Sequence, residues 1–440
     1  MQAIQTARAC ASLPPRRPPD IVYNSVQTVT ETGGFMRHLA RATELAICLL
    51  VLLTTCSAPF GPSAPLAGLG AASNLVSGAM RQATVTPGTA PTSALDAPAP
   101  PLAAILSPAS TGQLAPAILD RATQMDAYLS GLAKQDAFSG AVLVAYQGHV
   151  LVSRGYGLAN REQALAATAH TRFRLASVTK PLTAIGVLRL VAQGRVNLDA
   201  AICTYFAPCP PAWQPLTVAH LLHHTSGLAD YADFADFPNF EQLPATPEQV
   251  VARFRDLPLT FAPGSLYDYC NSNFLLLSLI IERVTGQPYA DYMRAELFAP
   301  LGMENTGLDP GDFSPLGGTR GYASGALDIP LNVSNLYGAG NLYSTVEDLY
   351  KLTQALDTGS LLPPDLVTQM TTPGLGRYGL GWMIEQRGPN RLVYHPGSMS
   401  GVATWFGRYP DVGLTVIVLS NDYYANVSSI AESLAAQLFH

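Results

Sequence analysis

Lysine is almost missing from this chain. Of 440 residues only Lys134, Lys180 and Lys351 carry that side chain, and arginine supplies the other fixed positive charge. Charged residues make up 13% of the sequence, against ~25% in ordinary globular proteins. The net charge is −6 and no basic run occurs, so the electrostatic footprint of a nucleic-acid-binding protein is absent. No Cys-x-x-Cys pair suggests a structural zinc. No internal repeat suggests a solenoid.

Much of the charge deficit falls in the first 115 residues. Residues 36–56 read as a targeting signal. Arg37 and Arg41 give a basic start, residues 45–55 are almost wholly apolar, and Cys56 follows. That apolar run is shorter than the ~20 residues a spanning helix needs. Leu53-Thr54-Thr55-Cys56 resembles a bacterial lipobox, in which Cys56 would be lipidated; ordinary cleavage nearby and a retained anchor are the alternatives. Residues 1–35 precede this signal, which implies that translation starts at Met36. Residues 57–116 are rich in Pro, Ala, Gly, Ser and Thr and bury too little apolar surface to offset chain entropy. The expected division is a leader and signal peptide over 1–56, a disordered linker over 57–116 and a catalytic domain over 117–440. The expected location is periplasmic or cell-surface, with a possible membrane tether through the N-terminus. Cys203 and Cys209 lie close in a Pro-rich turn, and a small disulfide and two free thiols are both open readings.

Within the domain, residues 118–134 predict a helix, and 140–146 with 150–157 a hairpin. Residues 171–175 are extended and run straight into Ser177. From 193 to about 327 the pattern is mainly helix and loop, clearest as helix over 218–223 and 274–284. Strands return at 404–409 and 414–419, and a last amphipathic helix covers 427–439. The predicted class is α+β: one antiparallel sheet built from both termini, flanked by helices, with a mainly helical region inserted.

Three clusters carry chemistry. Ser177-Val178-Thr179-Lys180 heads an apolar helical run, and helical spacing brings the Lys180 amine to the Ser177 hydroxyl. A desolvated lysine loses its proton, which arginine does not, and the first helical turn favours an alkoxide. Pro181 fits a first turn, where its missing N–H has no partner to lose. In the second cluster, Tyr269-Cys270-Asn271 follows a Pro-Gly turn. A phenol beside a lysine ammonium acts as a general base, and an asparagine bonds both a substrate amide and the lysine. The third is Tyr394-His395-Pro396-Gly397-Ser398. Gly397 permits close backbone approach, the N–H groups of Ser177 and Ser398 form an oxyanion hole, and His395 assists proton transfer or binds a carboxylate. The plainer alternatives are a capped helix, a packed tyrosine and a turn with a surface histidine. His220, His223 and His224 have the spacing of a zinc face but lack the glutamate of His-Glu-x-x-His. No metal or cofactor is expected.

Taken together, Ser-x-x-Lys, Tyr-x-Asn and His-x-Gly in this order resemble the serine β-lactamase/penicillin-binding superfamily, in its class C β-lactamase-related branch. That branch holds D-alanyl-D-alanine carboxypeptidases, D-aminopeptidases and esterases. The resemblance covers about residues 118–440. It includes the runs 220–228 and 338–349, and 416–421 ending at Asn421. It implies an exported serine hydrolase with a serine β-lactamase-like fold, and a monomer is expected. Ser177, Lys180, Tyr269 and His395 would be catalytic, and Asn271, Gly397 and Asn421 would bind substrate. The substrate would be a small molecule or a peptidoglycan-derived peptide. This chain has His-Pro-Gly where β-lactamases mostly have Lys-Thr-Gly, which favours peptidase or esterase activity over β-lactam hydrolysis.

Overall fold

The structure, a computed structural model, describes residues 116–313, 317–328 and 331–439. The leader and signal expected over 1–56, and the linker up to residue 115, lie outside the described residues. Helix α1 (Pro116–Lys134) comes first, with Ala122, Met125 and Leu129 buried at three- and four-residue spacing. The hairpin β1 (Gly140–Tyr146) and β2 (His149–Tyr156) follows. The middle of the chain supplies α2 (Thr179–Ala192), α3 (Asn271–Thr285) and α4 (Val346–Asp357). The chain then lays down β3 (Met383–Arg387), β4 (Asn390–Met399), β5 (Val402–Tyr409) and β6 (Leu414–Ser420), and α5 (Val427–Ala436) follows.

These six strands form one antiparallel sheet in the order β3-β4-β5-β6-β1-β2. Strands from the two ends of the domain meet inside it, Gly140 opposite Ser420 and Tyr146 opposite Leu414. Side chains alternate between faces. Val142, Val144, Trp405, Val416 and Val418 join a core with α1 and α5. Leu143, Val393, Phe406, Ile417 and Leu419 join a second core with α2 and α3. Each large apolar side chain so buried contributes about 1.5–3 kcal/mol. The sheet is therefore covered on both faces, and the inserted helices form the side that carries the site.

Helices α2 and α3 are unusual in being buried all round, from Thr179 to Leu188 and from Ser272 to Ile281. Helices apolar on every side are core helices, and they carry Lys180 into the interior. Gly286, at φ 73°, ends α3 in the left-handed region and returns its N–H to Glu282 O at 2.7 Å. Cys203 and Cys209 are joined in a disulfide with Cα atoms 5.3 Å apart, the ordinary separation for such a bond.

Two expectations change. Helix α3 begins at Asn271, three residues earlier than the apolar pattern suggested. The segment around His395, for which a turn with a surface histidine was the plainer alternative and no strand was marked before residue 404, lies inside β4, and His395 is buried. Among the described residues no helix is long and apolar enough to cross a membrane.

Candidate active site

The nucleophile candidate sits on a sharp strand-to-helix turn. Phe173–Arg174 pairs antiparallel with Leu342–Ser344, and Leu175 N donates to Leu342 O at 2.9 Å. Ala176 then takes φ 47°. An alanine in that region costs of order 1 kcal/mol and is kept only where the surroundings impose it. A 3-10 turn, Ala176–Val178, leads into α2. Ser177 is left half-buried while Lys180, one turn on, is fully buried.

Lys180 Nζ lies 3.2 Å from Ser177 Oγ, 2.8 Å from Asn271 Oδ1 and 2.9 Å from Ala339 O. Two of these partners are carbonyl oxygens and can only accept. A neutral amine has two N–H bonds and one lone pair. With both N–H groups given to the carbonyls, the lone pair faces the one partner able to donate, the Ser177 hydroxyl. Burial pushes Lys180 down to about 7, against the opposing pull of the Asp230 carboxylate and the Cys270 sulfur. The amine is therefore available as a base near neutral pH. Its cationic form lies over the Tyr269 ring, 4.7 Å from the centroid.

Tyr269 and Asn271 are placed by what precedes α3. His224, at φ 57°, accepts from Cys270 N at its Nδ1, 3.0 Å away, and its ring lies 4.4 Å from that of Tyr269. Asp230 accepts from both Asn271 N and Asn271 Nδ2, each at 2.9 Å, and from Ala232 N at 3.0 Å. Burial raises the Asp230 carboxyl to about 6, and the hydrogen bonds from Asn271 and Ala232 work against that. Asp230, the Ala339 carbonyl and Tyr378 were not singled out from sequence, and His224 was read only as a member of the histidine triplet. Asp230 lies two residues beyond the His220–Leu228 run, where an acid amid apolar neighbours was the available signal.

The opposite wall comes from β4. Gly397 lies across from Thr404. A Cβ at Gly397 would run into Thr404 Oγ1 and Leu175 O and approach Ser177 N to 3.0 Å, so glycine is what lets the strand press on the nucleophile turn. Pro396 has no N–H, which puts its pair with Trp405 in the class that exchanges no ladder bonds. By alternation Ser398 belongs to the same class, so its N–H turns away from β5. Strand β3 reaches only as far as Tyr394, opposite Met383. The outer side of β4 at Ser398 is thus left open, beside the turn that holds Ser177.

His395 differs from expectation. Its Nδ1 is 2.6 Å from Pro396 O and so carries the proton, while its Nε2 accepts from the Tyr378 hydroxyl at 3.0 Å. Burial, and then the nearby Lys180 charge, push this imidazole down to about 3. It is neutral, both nitrogens are engaged, and it offers no cation to a substrate carboxylate. Asn421 is a second correction. It is fully buried, and its Nδ2 donates to Leu158 O, Ala159 O and Arg320 O at 2.9–3.2 Å. It ties loops together through this group. Of the histidine triplet only His220 lies on a helix, the five-residue Val218–Leu222; His223 caps its end and His224 follows in the left-handed region. His220 exchanges bonds with Thr217, His223 Nδ1 donates to Tyr378 O, and His224 turns inward. Among the described residues no cluster of His, Cys, Asp and Glu is set to hold a metal ion.

A family model described as Beta-lactamase matches residues 125–439. The chain is 28% identical over 318 residues to the putative penicillin-binding protein PbpX of Bacillus subtilis (strain 168), covering 70% of this chain and 75% of that one. It is 29% identical over 367 residues to the esterase EstB of Burkholderia gladioli, covering 70% and 92%. Among solved structures it resembles the octameric penicillin-binding protein homologue from Pyrococcus abyssi, with a TM-score of 0.65, 26% identity, and 72% and 77% of the two chains covered.

Proposed function

The chain belongs to the beta-lactamase family and is a serine hydrolase; on that premise we propose that it cleaves uncharged esters and amides outside the cytoplasm through an acyl-serine intermediate. The observation that carries the choice of substrate is His395, a neutral imidazole engaged at both nitrogens. Without a cation at His395, the free carboxylate of a β-lactam or a peptide C-terminus gains little there. The likeness to EstB supports the ester reading, and the Cys203–Cys209 disulfide supports an oxidising compartment.

In this mechanism Ser177 Oγ attacks the carbonyl carbon while its proton passes to Lys180 Nζ. The N–H groups of Ser177 and Ser398 receive the oxyanion, a contribution of about 3–4 kcal/mol per donor in sites of this kind. Tyr269 relays the proton to the leaving alcohol or amine, and Asn271 orients the lysine and the substrate amide. Water then hydrolyses the acyl-serine.

The test is a panel of a short nitrophenyl ester, a D-amino-acid anilide, a D-Ala-D-Ala peptide and nitrocefin, with Ser177→Ala as control. The ester and anilide should turn over fastest, and a fluorophosphonate should add its mass at Ser177. Preference for nitrocefin or for the free-carboxylate peptide overturns the substrate choice. Rapid acylation by penicillin with no deacylation would instead mark a penicillin-recognising protein with little turnover. Light scattering of the purified chain decides between the expected monomer and an assembly.

A further inference from the structure

Behind the lysine stands a carboxylate that the mechanism above does not use. The hydrogen-bonded path runs Ser177 Oγ, Lys180 Nζ, Asn271 Oδ1 and then, from the other end of the same amide, Asn271 Nδ2 to Asp230 Oδ2. An amide is ambivalent, with a carbonyl at one end and an NH2 at the other. Only one orientation suits this place. A carboxylate accepts and cannot donate, so it claims the NH2 end and turns the carbonyl toward Lys180. That carbonyl, with Ala339 O, takes two of the lysine's N–H bonds and aims the remaining position at Ser177.

We propose that Asp230 is a positioning residue of the catalytic serine, acting through Asn271 to orient the Lys180 amine and to hold its cationic form when it takes the serine proton. This rests on the acyl-serine reading and deepens it. When the proton moves from Ser177 Oγ to Lys180 Nζ, a cation appears in a fully buried place. A compensating anion one amide away lowers the cost of that step. The other groups around the lysine supply less, with Cys270 acting after Asp230. Cys270 is held as a neutral thiol by burial and by the Asp230 charge, His224 and His395 are held neutral by burial, and Tyr269 presents its ring face. Around Asp230 itself stand Tyr231, kept protonated by burial, and the acidic Asp233, which raises the Asp230 carboxyl.

A plain capping role makes a different forecast. Asp230 also accepts from Ala232 N and from Asn271 N at the start of α3, and a cap alone would stabilise these turns without affecting the charge on Lys180. The scarcity of lysine makes the difference measurable. Protein labelled with ε-13C lysine has three side-chain signals, from Lys134, Lys180 and Lys351, and the Lys180 signal is the one lost in Lys180→Met. In Asp230→Asn its titration midpoint should fall by about one pH unit, and in Asp230→Glu it should return toward the wild-type value. The acid limb of kcat/KM should move the same way. An unmoved midpoint in folded Asp230→Asn overturns the proposal and leaves a cap. If Asp230→Asn does not fold, wild type carries the test. The Lys180 signal should show a second, smaller inflection as Asp230 takes its proton below the main one, and a single inflection overturns the proposal. The titration needs no substrate, so it stands even if the ester and amide panel fails.

Discussion

The wall of the site built from α2, α3 and the turn that begins at Asp230 carries an amine, an amide and a carboxylate in hydrogen-bond contact. The wall built from β4 and the segment at Tyr378 carries an imidazole, a phenol and a glycine, none of them charged. Both are buried, yet burial acts on them in opposite ways. On the helical wall, desolvation weakens the charge of Lys180 without abolishing it, because acceptor oxygens and Asp230 lie within reach. On the strand wall, desolvation removes the charge of His395 altogether, because its partners are a carbonyl and a hydroxyl. The same physical term therefore yields a base near neutral pH on one side and an inert spacer on the other. Proton transfer belongs to the helices, and shape and backbone N–H groups belong to the sheet.

Breaking the helical wall should have the largest effect. Lys180→Met removes the amine that faces the Ser177 hydroxyl, and kcat/KM on a nitrophenyl ester should fall about 10³-fold. The Asn271 and Ala339 oxygens lose their donor as well, so the melting temperature should drop. A variant keeping a tenth of wild-type activity would place the base elsewhere, with Tyr269 the first candidate. Breaking the strand wall should cost less. Gly397→Ala forces β4 away from Leu175 and Ser177 N, and loss of one oxyanion donor predicts about a 10²-fold fall in kcat. The fluorophosphonate should still label Ser177, more slowly. Unchanged kcat in Gly397→Ala would remove β4 from the oxyanion hole.

The two walls were unequally legible in the sequence. Ser177, Lys180 and Asn271 stand at helix starts, where a hydroxyl, an amine and an amide interrupt apolar runs, and local spacing brings the first two together. The sheet from both termini was legible because residues 140–146 and 414–419 are uninterrupted apolar strands. Strand β4 was not. Pro396 and Gly397 sit in its middle, and both residue types argue against a strand interior. Here proline occupies a position that needs no ladder N–H, and glycine makes room for the nucleophile turn. Asp230 and Tyr378 were missed for another reason. Their partners, Asn271 and His395, are 41 and 17 residues away, and no periodicity links them. Asn421 was expected to bind substrate from the family resemblance alone, and the loop carbonyls around it take up its amide N–H groups.

The pH profile sharpens the comparison further. Lys180 must be neutral to accept the serine proton, and burial sets it at about 7. Below that value all three acceptors receive N–H bonds and no lone pair faces Ser177. The rate kcat/KM should therefore level off above about pH 7 and fall tenfold per unit below it. His395, at about 3, should add no inflection between pH 5 and 9. An inflection in that range that disappears in His395→Gln would mean that the strand wall does titrate.

The smallest effect is expected from Tyr378→Phe. The ring remains packed at right angles to His395 and close to His224, at 5.9 and 4.7 Å between centroids, and only the hydroxyl is lost. His395 Nε2 then becomes a buried acceptor with no donor, which costs about 1–3 kcal/mol of stability. Calorimetry should show the lower melting temperature. If β4 contributes only shape and N–H groups, kcat should change less than about threefold, because nothing on the proton path has moved. A fall beyond tenfold would mean that the Tyr378–His395 pair takes part in the chemistry. In that case the division between an active helical wall and a passive strand wall would be wrong, and the neutral imidazole would have to be placed on the proton path.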